Sequence, residues 1–302
     1  MQPHRTSDAG PLGFLARTAR RLLFAAIRVL LLVSVGLLAV IWYLQDKIIF
    51  PGAATQGLPA AIVRPGVGEE LVQITTDRGE RVVALYAMAQ TPDGRNDPAA
   101  GSRPSLIFFY GNAMCLADAR PLVERWRRLG VNVLAPDYLG YGMSGGKPSE
   151  TGCRQTAEAC LEFLRSRGVP QSRVVAAGWS LGGAVAIDLA ARHSVGGLVA
   201  LSTFTSAADM AWTILPIPLP PGWLVHRFDN LAKLPGISCP KLLGHGRRDP
   251  IVPISMFERL RAAARPPVWS FVVEEAGHND FFELGGEIIT REMREFFARL
   301  WD

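Results

Sequence analysis

The sequence predicts an α/β fold: a mostly parallel central sheet flanked by helices, forming one domain behind an apolar N-terminal helix. Three observations carry this. From residue 105 onward, short apolar runs of buried-strand type alternate with helical stretches across short connections, the pattern of a parallel sheet wrapped by helices. The pentapeptide Gly178-Trp179-Ser180-Leu181-Gly182 stands between one such run and an alanine-rich helical run, where a strand turns sharply into a helix. Finally, 22–44 is apolar apart from Arg28, Ser34 and Gly36, and it lies outside the alternation.

Residues 1–21 read as a basic cytoplasmic tail ending in Arg20-Arg21, and 22–44 as a transmembrane anchor. The uninterrupted stretch from Val29 falls short of the ~20 residues a spanning helix needs. Adding the turn before it reaches that length, with Arg28 snorkelling to the interface. Trp42 and Tyr43 close the run as an interfacial belt, and the basic residues precede it. The positive-inside rule then keeps the N-terminus cytoplasmic and places the domain on the opposite, extracytoplasmic or periplasmic side. A cleaved signal peptide and a buried core helix are the alternatives. The apolar run is longer than a signal peptide's, no clear small-x-small site precedes Gln45, and the upstream arginines oppose burial.

Residues 45–302 form the domain. Pro51-Gly52 and 57–68 read as a connecting loop. Strands at 71–76 and 81–88 make a hairpin around Asp77-Arg78-Gly79-Glu80. A polar loop, 91–104, leads to a buried strand at 105–110. There follow a helix at 117–129, a strand at 131–135, a helix at 151–167, a strand at 174–177, the pentapeptide turn and a helix at 181–192. The second half continues with strands at 197–201, 241–244 and 268–273 and helices at 254–264 and 286–300. Between them 203–239 departs from the rhythm, with Pro216, Pro218, Pro220, Pro221, Pro235, Trp212, Trp223 and Phe228. It is too short for a helical cap domain and reads as a lid-like insertion over the sheet. No internal repeat or second core is present.

Composition narrows the function classes. The net charge of +5 sits mostly in residues 1–47, whose six Lys/Arg face only Asp8 and Asp46; the rest carries +1. Nucleic-acid binding therefore has no electrostatic support. Cys115, Cys153, Cys160 and Cys239 form no C-x-x-C pair. Cys153 and Cys160 stand ~10 Å apart if helical, too far to bridge. Neither a zinc site nor a disulfide framework is expected.

In an open parallel sheet, sites form beyond the carboxyl ends of the strands. Three groups fall there: Ser180 in its turn, Asp249 after the 241–244 strand and His278 after the 268–273 strand. A serine hydroxyl needs a base beside it to act as a nucleophile, and the chain order Ser, Asp, His fits a nucleophile, an acid that orients, and a base. The Leu181 amide supplies one oxyanion donor, and the Asn112 or Ala113 amide, after Tyr110-Gly111, the second.

The motifs that carry a resemblance are Gly-Trp-Ser-Leu-Gly-Gly from Gly178, Pro136-Asp137-Tyr138-Leu139-Gly140-Tyr141-Gly142-Met143-Ser144, Gly244-His245-Gly246-Arg247-Arg248-Asp249-Pro250-Ile251-Val252-Pro253 and Gly277-His278-Asn279-Asp280. With them the chain from about Gln45 onward resembles the α/β-hydrolase superfamily, in particular the small single-anchor branch called serine aminopeptidase-like, which includes depalmitoylating thioesterases. The resemblance implies Ser180 as nucleophile, His278 as general base and later acid, and Asp249 as the group that orients and stabilises the imidazolium. It makes Asp137 a structural turn residue rather than the acid. This chain has Tyr110-Gly111 where relatives carry His-Gly, and Leu139 where many have Arg.

Taken singly, Ser180 reads as a turn residue, His278 as a loop histidine, and Asp249 as a turn former before Pro250 or, with His245, a metal ligand. His193 suits a helix C-terminus; His4, His226 and His245 lie in the tail, the insertion and a strand end. Trp179, Tyr110, Trp212 and Trp223 are expected to line the substrate. With Ile214, Leu215, Ile217 and Leu219 the insertion reads either as an acyl-chain pocket or as plain cover for the sheet. The expected activity is a membrane-anchored serine hydrolase cleaving an ester or thioester of a small or lipid-like acyl substrate, with no cofactor. A peptidase with the same triad and a non-catalytic membrane-tethered binding domain are the alternatives.

Overall fold

A computed structural model of the chain describes residues 11–214, 216 and 222–301. The chain divides into two units, Met1–Gln45 and Asp46–Asp302. Helix α1 runs over Pro11–Ile49, and its part Arg17–Ile49, which contains an 18-residue window of mean hydropathy 2.6, is long and apolar enough to cross a membrane. It continues past the expected end at 44 because no helix breaker intervenes before Pro51. The residue ahead of a proline is disfavoured in the α region, and Phe50 accordingly leaves it at φ −121°, ψ 58°.

The second unit holds an eight-stranded sheet in the order β1-β2-β4-β3-β5-β6-β7-β8. Strands β1 (Glu69–Thr75) and β2 (Arg81–Ala87) form the predicted antiparallel hairpin. Val72 and Ile74 on β1 point inward on either side of exposed Gln73, with Thr75 exposed beyond them, the period-2 alternation of a sheet edge. β2 also pairs antiparallel with β4 (Asn132–Pro136). β3 (Ser105–Phe109), β4, β5 (Val174–Trp179), β6 (Gly197–Leu201), β7 (Lys241–Gly246) and β8 (Val268–Val273) are mutually parallel. Every residue of β3, β4, β6 and β7 is buried, as expected of strands covered on both faces. β5 and β7 reach beyond the expected 177 and 244, because Gly178 still pairs with Phe109 and Ala200, and Gly246 with Val273.

Helices α2 (Leu116–Arg127), α3 (Glu150–Ser166), α4 (Leu181–Arg192), α7 (Ile254–Ala263) and α9 (Gly286–Trp301) cover the sheet. Their ends follow local chemistry. Ser149 caps α3 by accepting the Gly152 N–H at 2.8 Å, and α9 buries Ile289, Met293, Phe296 and Phe297, a stripe of helical period. The insertion contributes α5 (Ala207–Ile214) and the single turn α6 (Asn230–Lys233). A further turn, α8 (Phe281–Leu284), precedes α9. After β3 the chain goes to β4 on one side, then returns past β3 to β5 on the other. Right-handed crossovers put the two connecting helices on opposite faces. A crevice therefore opens at the carboxyl ends of β3 and β5.

Candidate active site

Ser180 sits at that crevice, taking the whole change of direction between β5 and α4 at φ 57°, ψ −119°. Such a conformation costs a non-glycine residue about 1–3 kcal/mol, so the surroundings must hold it. They do: the Ser180 N–H donates to the Leu201 carbonyl at 2.9 Å, and Thr203 Oγ1 donates to the Ser180 carbonyl at 2.8 Å. A Cβ at Gly178 would lie 2.0 Å from the Gly182 oxygen, and one at Gly182 would lie 1.9 Å from the Phe109 oxygen. Only glycine lets strand, helix and neighbouring strand approach this closely. Leu181 opens α4, where an amide has no intrahelical partner and is available to an anion.

Asp249 and His278 meet Ser180 from the next two loops. The His278 Nδ1 lies 2.6 Å from Asp249 Oδ2, and its Nε2 3.0 Å from Ser180 Oγ. A carboxylate accepts, so the ring proton belongs on Nδ1, which leaves the Nε2 lone pair facing the serine hydroxyl. Asp249 Oδ1 accepts from the Ile251 and Val252 amides at 2.9 and 2.8 Å, fixing the carboxylate. The Asp249 and His278 loops are tied together by the Arg248 N–H on the Ala276 carbonyl at 2.9 Å. Asp280 Oδ1 accepts the Gly277 N–H at 2.7 Å, holding the turn that presents His278. Ser180, Asp249 and His278 are 9%, 7% and 5% exposed.

His245, a strand-end candidate in the sequence, is fully buried beside the acid. Its Nε2 lies 2.9 Å from the Val252 carbonyl and 3.6 Å from Asp249 Oδ2. Burial holds its imidazole below the usual histidine range, and a neutral ring with its proton on Nε2 suits both oxygens. His226 lies in a different setting, between the Glu150 amide and Asp46.

The loop after β3 places Asn112 and Ala113 opposite the elbow, and neither amide has a hydrogen-bond partner among the described residues. Tyr110 requires a correction. Its side chain is 0% exposed, and its hydroxyl donates to Asp137 Oδ1 at 2.7 Å, so it lies within the core and cannot line a substrate. Its position explains the departure from His-Gly: the phenol reaches down to a buried carboxylate. Asp137 also accepts the Leu116 and Met143 amides at 2.7 and 2.8 Å, and burial raises its carboxyl above the usual range. It is thus the hub of its turn. Leu139 is buried, and the turn is held instead by Asp137 and by the Gly142 N–H on Thr55 Oγ1 at 3.1 Å.

Trp179, half-buried, lies against the His278 ring at 5.1 Å and 30° and meets Phe282 edge-on at 5.6 Å. Phe282, on α8, was not singled out by the sequence, although its place four residues after His278 is a usable signal. Trp212 is 55% exposed on α5 and Trp223 is half-buried; among the described residues the ring that packs on His278 is Trp179. Leu215, Ile217 and Leu219, with Pro218, Pro220 and Pro221, lie outside the described residues. All four cysteines are free, and burial pushes the Cys153 and Cys160 thiols up, away from the thiolate a metal or nucleophilic role requires. Among the described residues no group of three His, Cys, Asp or Glu side chains is placed to hold a metal.

A mostly parallel sheet with a strained serine at its switch point, followed by an acid and a histidine on the last two strand ends, defines the α/β-hydrolase class. The model of the alpha/beta hydrolase fold matches residues 104–224. An uncharacterised Mycobacterium tuberculosis protein is 33% identical over 274 residues, 90% of this chain and 94% of that one. Alpha/beta hydrolase domain-containing protein 17B of Xenopus laevis is 31% identical over 236 residues, 76% of this chain and 75% of that one. The chain belongs to the α/β-hydrolase family. The Pyrococcus furiosus esterase Pf2001 superposes with a TM-score of 0.62 at 23% identity, covering 78% of this chain and 91% of that one. A puromycin-hydrolysing peptidase of Mycobacterium tuberculosis also gives 0.62, at 18% identity, with 78% of this chain and 40% of that one covered. At such identities these two likenesses speak for the fold alone.

Proposed function

We propose that this protein is a membrane-anchored serine hydrolase that cleaves a carboxylic ester or thioester. The observation that carries the reading is the continuous relay from Asp249 through His278 to Ser180, at 2.6 and 3.0 Å. Ser180 Oγ attacks the acyl carbonyl while its proton passes to His278 Nε2, and the carbonyl oxygen becomes an oxyanion. The Leu181 amide and one from the 112–113 turn stabilise that charge. His278 then protonates the leaving oxygen or sulfur, the carbonyl–leaving-group bond breaks, and an acyl-serine remains. Water then gives a proton to the same nitrogen as it attacks the acyl carbonyl; the acyl–Oγ bond breaks, His278 returns that proton to Ser180 Oγ, and the carboxylic acid leaves. Asp249 holds the tautomer and stabilises the imidazolium.

The motifs shared with the single-anchor, serine aminopeptidase-like branch support an ester or thioester. The two carboxylates of the insertion do not favour amine recognition, since Asp209 is engaged by Thr205 and by Arg259 and Asp229 faces Arg227. Trp179 beside the base, with Trp212 and Trp223 in the insertion, would receive the acyl group. The apolar α1 supports a single-pass anchor with the N-terminus cytoplasmic and the hydrolase domain on the other side, which protease accessibility in spheroplasts tests.

A fluorophosphonate probe is expected to label wild type at one serine and to leave Ser180→Ala unlabelled. An unlabelled wild type, or equal labelling of the variant, overturns the reading. Turnover of p-nitrophenyl esters of graded length against aminoacyl-nitroanilides separates esterase from peptidase.

A further inference from the structure

The loop that faces the elbow is held by the residues on which the N-terminal helix ends. Ile49 closes α1, where carbonyls lack helical partners, and its carbonyl accepts Asn112 Nδ2 at 3.2 Å. Three residues on, the Gly52 N–H donates to the Asn112 carbonyl at 2.9 Å. The Tyr141 hydroxyl donates to that same oxygen at 3.0 Å. Both lone pairs of the Asn112 carbonyl are then used, and the plane of the 112–113 peptide is fixed.

The fit at Gly52 leaves no slack. A Cβ there would stand 2.6 Å from the Asn112 oxygen, 2.7 Å from the Met114 oxygen and 2.3 Å from Tyr141 Cε1. Between the two ties, Phe50 is 1% exposed, with its ring 5.0 Å from His226 and 6.1 Å from Phe228. His226 is itself fixed, accepting the Glu150 amide on Nδ1 at 3.2 Å and facing Asp46 with Nε2 at 2.8 Å. Residues 46–52 therefore cannot slide or rotate without moving the turn at 111–114.

An oxyanion donor works only within about 2.7–3.1 Å of the developing charge, and a misplacement of ~1 Å can cost 10²-fold. We propose that the segment 49–52 leaving the N-terminal helix, together with Tyr141, is the positioning element of the oxyanion loop, so that acyl turnover depends on where this segment is held. The proposal rests on the serine-hydrolase reading above. Neither Gly52 nor Tyr141 touches substrate; both act through the Asn112–Ala113 peptide.

The test uses full-length protein in detergent micelles and reads kcat and KM on p-nitrophenyl butyrate, with active sites counted by fluorophosphonate. Tyr141→Phe removes one donor and adds no atom; Gly52→Ala forces a methyl against the turn. Relative to the 10²–10³-fold cost of losing a whole donor, Tyr141→Phe is expected to lower kcat ~3–10-fold and Gly52→Ala ~30–100-fold, each with KM within about twofold. Because both act on one peptide, the double variant should lose less than the product of the two. The acid limb of the pH–rate profile should keep its wild-type midpoint, since His278 and Asp249 are untouched. If Gly52→Ala fails to fold, Tyr141→Phe and Asn112→Ala, which adds no atom either, carry the test. Wild-type kcat per active site in the folded variants, or a loss confined to KM or to the amount of folded enzyme, overturns the positioning role. A wild type that is not labelled at Ser180 overturns the hydrolase reading and this proposal with it. A labelled wild type whose variants turn over normally overturns the positioning alone.

Discussion

The elbow carrying Ser180 and the turn carrying Asn112 face one another across the same crevice, yet they are held in opposite ways. The elbow is fixed by its own glycines and by the strands on either side, through Leu201, Thr203 and Phe109. The turn is fixed by residues remote in sequence: Ile49, Gly52 and Tyr141 at its face, and Tyr138, whose hydroxyl donates to the Tyr110 carbonyl at 2.7 Å, beneath it. The Ser180 turn thus rests on glycines within the turn itself and on direct packing against the neighbouring strands, whereas the proposed oxyanion turn is held by hydrogen bonds from separate loop segments. Changes on the elbow side should remove chemistry outright, and changes on the other side should grade it.

The largest effects test the elbow side. Ser180→Ala is expected to cut ester turnover by ~10⁶-fold, and Asp249→Asn by ~10⁴-fold with the fold intact. Stopped assays with matched circular dichroism spectra would show this, and retention of more than a tenth of wild-type activity by either variant would remove the elbow from the mechanism. Gly182→Ala sets a methyl against the Phe109 carbonyl. It should cost about 3 kcal/mol or more, since backbone cannot yield as a side chain does, and a fall in the urea midpoint would register it.

Smaller effects sharpen the opposite side. Tyr110→Phe leaves the buried Asp137 one donor short and should cost about 1–3 kcal/mol, with kcat near wild type in the protein that remains folded. If Tyr110 instead lined the substrate, KM would move and stability would not.

His245 gives a pH test of the acid loop. Its folded imidazole titrates below the usual histidine range because it is buried. As pH falls, the unfolded chain takes the proton first, near pH ~6.5, and the folded protein does so later. Stability from this group is therefore full above pH ~6.5 and is lost on acidification at up to about 1.4 kcal/mol per pH unit. Urea melts from pH ~7.5 to ~5.5 should show that slope in wild type and a shallower one in His245→Gln. Equal slopes would show that burial of this ring is not what acid disrupts. The smallest effect belongs to the insertion. Trp212→Ala, at an exposed position, should change stability by under about 0.5 kcal/mol and raise KM a few-fold for long-chain esters only; an unchanged KM would make this tryptophan plain cover.

The parts legible in the sequence share a physical basis with the elbow. Strand runs, helix caps and the Gly-x-Ser-x-Gly turn are read from neighbours within a few residues, and α4, β6 and β8 occupy the predicted residues 181–192, 197–201 and 268–273. The order Ser180, Asp249, His278 gave the candidate site, because in this topology successive strand ends must converge on one edge. Tyr110 was misplaced for the converse reason. An aromatic residue after a buried strand looks like a pocket wall until the carboxylate that receives its hydroxyl is known, and Asp137 lies 27 residues away.

By itself, then, the sequence determined the alternation of the fold, the apolar N-terminal helix and the identity of the three groups that meet at the crevice, since each rests on local periodicity, turn sterics or strand order. Only the tertiary structure decided that His278 spans Asp249 and Ser180 at hydrogen-bond distance, that Tyr110 belongs to the core, and that 49–52 grips the Asn112 turn. Those are distances between residues tens of positions apart, and no local pattern encodes a distance that packing alone sets.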